Sequence, residues 1–460
     1  MEDVAKGANL LSRLDRIPVT KSIVGIMFLL ILAWIFESFD IGMAGTLIVS
    51  LKKAWNLTGV EVGLFGVSPT IGIVLGLIPG GRLADKYGRR KVLLWGIFVY
   101  ALLTFASAFS PNFETMVALR ILAGLGEGAV FPIPYLMLSE FVNSNKRGIS
   151  IGWVNGVLTA AYSIPLMVGA WASSAFPLEN VWKVMSLLGG IPLLYLVPLL
   201  LWLPESPRFL IKQGSYEKLE QLIEKLEKRA NLPHDTRLIN PSTLEALQTG
   251  KQAQVRMSAI FAHPYLTRSI IAYLIFAYSI YLFYVINVYG PTIFSGQGLK
   301  LGGALTFTAV MMVVGGIGTV VHGHFSDKYG RKTPLVIYAA LATIGIVMFA
   351  YANSFASLVT AGILSAFFGL SVNPFGKLYI SEQYPTDIRG VGAATGEMLA
   401  RFFSGVMGLY FVPLLLAWGG TYVIFISLGV FIVAANIPMM IWGRNTANKS
   451  VEEAGSAAYM

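Results

Sequence analysis

The chain runs to 460 residues, 55% of them hydrophobic and only 13% charged, with a formal net charge of +10. Soluble domains are roughly 45–50% apolar and about 25% charged, so an ordinary soluble enzyme is excluded. Aromatics at 12%, with no heptad or Gly-X-Y period, exclude coiled-coil, collagen-like and disordered chains as well.

Cysteine is absent, which removes disulfides and thiolate metal sites. The four histidines, His234, His263, His322 and His324, have no metal-ligand spacing. No metal and no cofactor is therefore expected. Without GxSxG, P-loop or ATP-binding segments, an ion gradient is the expected energy source.

In chain order, residues 1–22 are polar and lack the apolar core of a cleaved signal peptide, so the first span is expected to direct insertion itself. Twelve apolar stretches follow, near 23–49, 60–79, 92–110, 114–139, 149–175, 183–203, 266–294, 301–325, 333–352, 355–380, 390–417 and 420–443. A hydrocarbon core needs about 20 apolar residues per helical span, and lipid-facing backbone must satisfy its own hydrogen bonds, so helices are required. The one long polar interruption, 205–268, holds 10 Lys/Arg and 7 Asp/Glu. Within it YEKLEQLIEKLEKRA predicts a surface helix with i,i+4 charge pairs. His322 and His324 read as loop residues at the end of span 8.

Lys and Arg mark the sides of the membrane. The termini, the middle segment and every second loop carry 27, the alternate loops only Lys52, Lys53, Lys183 and Lys300. Both termini are expected to be cytoplasmic, and basic charge gathered mainly in the loops of one side argues against a nucleic-acid partner. The expected fold is an all-α membrane protein. It has a cytoplasmic N-terminus (1–22), a six-helix bundle (23–203), a cytoplasmic middle segment with short helices (204–265), a second six-helix bundle (266–443) and a cytoplasmic tail (444–460).

An internal repeat supports two halves. Gly81-Arg-Leu-Ala-Asp85-Lys-Tyr-Gly88-Arg89-Arg recurs as Gly323-His-Phe-Ser-Asp327-Lys-Tyr-Gly330-Arg331-Lys. Ser139-Glu140 with Arg147-Gly148 recurs as Ser381-Glu382 with Arg389-Gly390, at the same spacing of 242 residues. A parallel repeat places a binding site between the halves near mid-membrane.

At these residues the chain resembles the major facilitator superfamily over nearly its whole length. The resemblance implies that Asp85, Arg89, Asp327, Arg331, Glu140, Arg147, Glu382 and Arg389 form cytoplasmic latches that break and reform during alternating access. Physically, Asp85 is a fixed anion suited to hold a helix N-terminus or an Arg. The stretch Pro204-Glu205-Ser206-Pro207-Arg208 resembles sugar porters and organic-ion transporters. A structural staple is the plainer reading of all these motifs.

Charges inside spans cost several kcal/mol unless paired, hydrated or neutralised. Glu37 and Asp40 share one face of span 1, Arg120 and Glu127 one face of span 4, and Glu397 and Arg401 stand at i,i+4 in span 11, with Lys377 in span 10. Proton coupling needs carboxyls with a movable charged neighbour, which makes Glu127, Asp40 and Glu37 the candidate proton sites, with Arg120 as the neighbour of Glu127. Arg401 offers a planar fork for a carboxylate; its alternative is a local bridge to Glu397. It lies twelve residues after Arg389, where organic anion transporters resemble this chain and place a substrate-facing Arg. The stretch Arg120–Pro132 resembles span 4 of anion:cation symporters, and Glu37 with Asp40 is similar to an acidic pair of aromatic acid:proton symporters, with Glu in place of the usual Asp. Tyr281, Tyr284 and Asn287 of span 7, beside a helix break expected at Gly290-Pro291, are candidate substrate walls; an outer aromatic belt is the alternative for the later tyrosines. Asn155 falls where sugar porters carry a Gln.

Together these predict a proton-coupled symporter of a small organic anion, an aromatic or sugar-derived carboxylate. Its partners are that anion, protons and the bilayer, and a monomer is expected. Arg401, Arg120, Tyr281, Tyr284, Asn287, Asn155 and Glu397 form the expected substrate site. A sugar:proton symporter is the alternative. A drug:proton antiporter is opposed by Arg401, and a non-transporting receptor by a tail of only 18 residues after Trp442. The short first outer loop, about 50–60, points to a prokaryotic inner-membrane protein.

Overall fold

The computed structural model describes residues 2–141, 147–233, 235, 260–263, 265–384 and 386–446; the rest of the middle segment and the tail lie outside the described residues. Among the described residues, eleven helices are long and apolar enough to cross a membrane. In order they are Lys21–Trp55, Gly59–Tyr87, Arg89–Ser107, Phe113–Leu138, Trp153–Ala175, Leu178–Trp202, Leu266–Gly296, Leu301–Tyr329, Lys332–Ala350, Phe355–Glu382 and Val391–Trp442. The last is 52 residues long and breaks at Gly419-Gly420, where Gly420 takes φ 65°. It is two spans, giving spans 1–12 in two six-helix halves.

Helix starts follow local chemistry. Thr58 and Glu61 form a reciprocal capping box at span 2, with the Thr58 N–H donating to Glu61 at 2.7 Å. Asn112 caps span 4 by accepting from the Thr115 N–H at 2.9 Å. Spans 2 and 8 run to Tyr87 and Tyr329, well past the apolar stretches, because the charged repeat motif continues each helix. Each stops at a glycine in the left-handed half of φ space, Gly88 at 104° and Gly330 at 88°, which a side chain would strain.

The halves meet through small residues. A Cβ on Gly316 of span 8 would stand 2.6 Å from the Gly156 carbonyl of span 5. One on Gly45 of span 1 would stand 2.9 Å from the carbonyls of Asn287 and Val288 in span 7. Such close backbone approach is how helices pack in lipid, where no hydrophobic force drives association.

The polar N-terminus is itself a helix, Glu2–Arg16, and it docks on Tyr216–Arg229, the helix expected in the middle segment. Arg13 is fully buried there, donating to Glu227 at 3.1 and 2.6 Å, and Arg16 adds a 2.7 Å bond to the same carboxylate. Leu10, Leu14, Leu219 and Ile223 pack in the core beneath them. Burial alone would raise the Glu227 carboxyl, but the two arginines overcome it and hold the group below the usual carboxylate range.

Candidate functional site

Helical phase brings the charges of span 1 to two different partners. Asp40 turns into the N-terminal half, where Arg120 Nη1 reaches its two carboxylate oxygens at 3.0 and 2.9 Å. Thr104 of span 3 donates to Asp40 at 2.8 Å and accepts from Arg120 at 3.2 Å. Arg120, Asp40 and Glu127 are all buried. The expected Arg120–Glu127 partnership is therefore corrected: Arg120 donates to Asp40, and neither carboxylate oxygen of the buried Glu127 has a hydrogen-bond partner among the described residues. Arg120 is also held inside its own half instead of on a substrate wall. Its guanidinium follows the nearer carboxylate, because one turn of span 1 delivers Asp40 directly to it.

Glu37, one turn before Asp40, is buried and forms no hydrogen bond through either carboxylate oxygen. The strongest charges acting on it are Arg401 and Lys377, from the opposite half. Arg401 donates to Glu397 at 2.8 Å and to the Tyr284 hydroxyl at 3.1 Å. Its guanidinium also lies 4.1 Å from the ring centroid of Phe131, on span 4 of the other half. Lys377 joins it, 3.1 Å from Glu397 and 5.2 Å from the same ring. Lys377 is half exposed although it lies inside span 10 and touches both halves, so its free face opens on the gap between them. The local bridge from Arg401 to Glu397 and the position between the halves thus coexist.

Span 7 supplies the wall. It breaks one turn earlier than expected: Val285–Tyr289 winds as a π-segment before Gly290–Gly296. Pro291 lacks the N–H that would bond the Asn287 carbonyl, and that carbonyl faces Gly45 instead. Tyr281, Tyr284, Asn287 and Tyr289 are buried, which corrects the outer-belt alternative. Tyr281 packs on Phe431 of span 12 within its own half, at 6.2 Å. The Asn287 side-chain amide has no hydrogen-bond partner among the described residues. Asn155 is half-buried on span 5. Phe131 and Tyr162, absent from the expected site, line the same gap: Tyr162 meets Phe283 across the halves at 4.7 Å, and Phe131 lies under Arg401 and Lys377. Phe131 stands four residues after Glu127, so its face was readable from helical spacing.

The repeat motifs meet as ion pairs within each half. Arg89 bonds Glu140, which also accepts from Ser206 at 2.5 Å; Arg331 bonds Glu382 at 3.2 Å and Asp327 at 2.6 Å. Glu205 accepts the Arg90 and Ser206 N–H groups, both at 2.9 Å, setting a carboxylate on the N-terminus of span 3. Asp85 is mostly exposed and lies 3.6 Å from Lys212, while Glu140 bonds Arg89. Arg389 donates to the Tyr384 carbonyl at 3.4 Å, and the Arg147 side chain lies outside the described residues. His322 is also corrected. It is a fully buried residue of span 8, stacked between Tyr338 and Phe375 at 4.1 and 4.3 Å.

Residues 25–457 match the family model described as sugar (and other) transporter. The niacin transporter NiaP of Acinetobacter baylyi is 25% identical over 457 residues, covering 97% of this chain and 100% of the relative. A gallate transporter of Pseudomonas putida is 27% identical over 91% of each chain, and the 4-hydroxybenzoate transporter PcaK of Pseudomonas aeruginosa 27% over 86% of each. Among solved structures, the inward open conformation of the xylose transporter XylE from E. coli superposes with a TM-score of 0.74 at 20% identity, covering 94% of this chain and 99% of that one. With two six-helix halves, a repeated ion-paired motif in each and a charged gap between them, the chain belongs to the sugar (and other) transporter family of the major facilitator superfamily, a multi-pass inner-membrane transporter and not an enzyme.

Proposed function

We propose that this transporter carries a small aromatic carboxylate together with a proton. The observation that carries this reading is the charge balance around the gap. Arg401 and Lys377 face Glu397 and Glu37, two cations against two acids. A carboxylate entering this site leaves one excess negative charge in a low-dielectric interior unless an acid takes up a proton. Glu37, buried and without a hydrogen-bond partner among the described residues, is the acid we assign to that exchange: the substrate carboxylate takes up the positive charge of Arg401 and Lys377, and Glu37 takes the proton. The substrate ring then meets Phe131, Tyr284 and Tyr162. Asp40 and Glu127, both buried in the same half with Arg120, are the further acids with which Glu37 would exchange its proton.

Niacin, gallate and 4-hydroxybenzoate, named for three relatives, are all aromatic rings bearing a carboxylate, which supports the same class here. The test is uptake of labelled aromatic carboxylates, sugar acids and hexoses into proteoliposomes, with the outside more acidic. Accumulation of an aromatic carboxylate that stops when the gradient is collapsed is expected. Gradient-driven uptake of a neutral hexose alone would overturn the reading in favour of a sugar:proton symporter.

A further inference from the structure

A groove of about 510 Å³ lies on the outside of the N-terminal half, away from the gap, where the helix Tyr216–Arg229 crosses the ends of spans 1 and 6. Its body is apolar, with Phe28, Leu29, Leu32 and Pro198 along it and Trp202 at its edge. Phe28 and Trp202 are 61% and 69% exposed, so they face the surrounding lipid. Its rim is cationic: Lys21, Lys225 and Arg229 line it, and no acid does. None of the three has a carboxylate within ion-pair distance among the described residues, and Arg229 donates to Ser22 at 2.9 Å, tying the rim to the start of span 1. The helix sorts its charges by phase. Glu220 and Glu227 turn to Arg13 on one flank, while Lys225 and Arg229, at i,i+4, turn to the groove.

From this arrangement we infer that the groove binds an anionic phospholipid of the leaflet on the basic side, its phosphate among Lys21, Lys225 and Arg229 and an acyl chain along Phe28 and Leu32. A soluble phosphate would find the cations but leave the apolar length empty. A neutral lipid would fill that length and leave three cations unmatched. Lys21 and Ser22 stand in the first turn of span 1, whose free N–H groups and dipole add to the attraction for the phosphate. Basic pockets at the membrane boundary recognise lipid head groups in this way.

The test uses the full-length protein exchanged into vesicles of equal phosphatidylglycerol and phosphatidylcholine, then released for native mass spectrometry. Preferential retention of phosphatidylglycerol is expected. Each cation near an anionic surface contributes about fivefold, so the triple variant Lys21→Gln, Lys225→Gln, Arg229→Gln should lose about a hundredfold of that preference. The charge-keeping triple Lys21→Arg, Lys225→Arg, Arg229→Lys should retain it, and Phe28→Ala with Trp202→Ala should weaken both lipids alike. Equal retention of the two lipids by the wild type, an unchanged preference in the Gln triple, or displacement of the lipid by inorganic phosphate would overturn the proposal.

Discussion

Arg401→Ala is the sharpest test of the anion site. The substitution removes the 2.8 Å bond to Glu397, the 3.1 Å bond to Tyr284 and the 4.1 Å contact with the Phe131 ring. Glu397 keeps Lys377 at 3.1 Å, so no buried acid is stranded and the variant should still fold. Truncating one partner of a buried, hydrogen-bonded charge pair costs about 2–5 kcal/mol. Because Lys377 stays as a second cation, the low end applies, and carboxylate affinity should fall about 30- to 100-fold at 1.4 kcal/mol per decade. Arg401→Lys keeps the charge and loses the fork, so it should fall about tenfold. The assay is initial-rate uptake in proteoliposomes across a range of substrate concentrations, with thermal melting as the folding control. An Arg401→Ala protein with wild-type melting and an affinity within about threefold of wild type would remove Arg401 from the site.

Charge balance predicts electroneutral transport: uptake should follow an imposed pH gradient and ignore a potassium-diffusion potential, and a current on substrate addition to a planar membrane would contradict it. Glu37→Gln should still exchange labelled for unlabelled substrate but fail to accumulate it against a gradient. Asp40→Asn leaves Arg120 buried without its anion and should cost about 3–5 kcal/mol of stability, whereas Asp40→Asn with Arg120→Met should recover most of it in a melting experiment. Glu227 carries a depressed carboxyl, so its contribution to docking the N-terminal helix is complete above the unfolded value of about 4.3 and is lost as pH falls through the lower folded value. Hydrogen exchange in residues 2–16 should accelerate on that descent and not between pH 6 and 8; Glu227→Gln should show the acid behaviour at neutral pH.

The repeat and the twelve spans were legible because glycine, charge and hydropathy are written locally. Partner choice was not. Helical phase placed Glu37 and Asp40 on one face, but only the packing of spans 1, 3 and 4 sends Asp40 to Arg120 and leaves Glu37 for the other half. Hydropathy marks where lipid ends, not where hydrogen bonding ends, so spans 2 and 8 ran further than their apolar stretches, and His322 lies two turns before the end of span 8 instead of in a loop. The N-terminal helix was hidden for the opposite reason: its apolar residues meet another peripheral helix, not a lipid-length core. Phe131 and Tyr162 were overlooked because an aromatic in an apolar span is unremarkable until a cation or a ring from the other half rests on it.

The constant repeat spacing has a consequence for how the two halves came to differ. Carried over by 242 residues, Arg120 and Glu127 fall on Gly362 and Gly369, while Glu397 and Arg401 fall on Asn155 and Thr159. The salt-bridged ends remain twins, yet each half has kept only one of two specialities in its middle. Among the described residues, the π-segments at Val285–Tyr289, Ser365–Leu370 and Arg401–Gly408 all lie in the second half, and each wide turn rotates the side chains beyond it relative to their counterparts. Under the proposed mechanism, a tandem of two identical halves, first or second, would therefore hold hydrogen ions without cargo, or cargo without hydrogen ions.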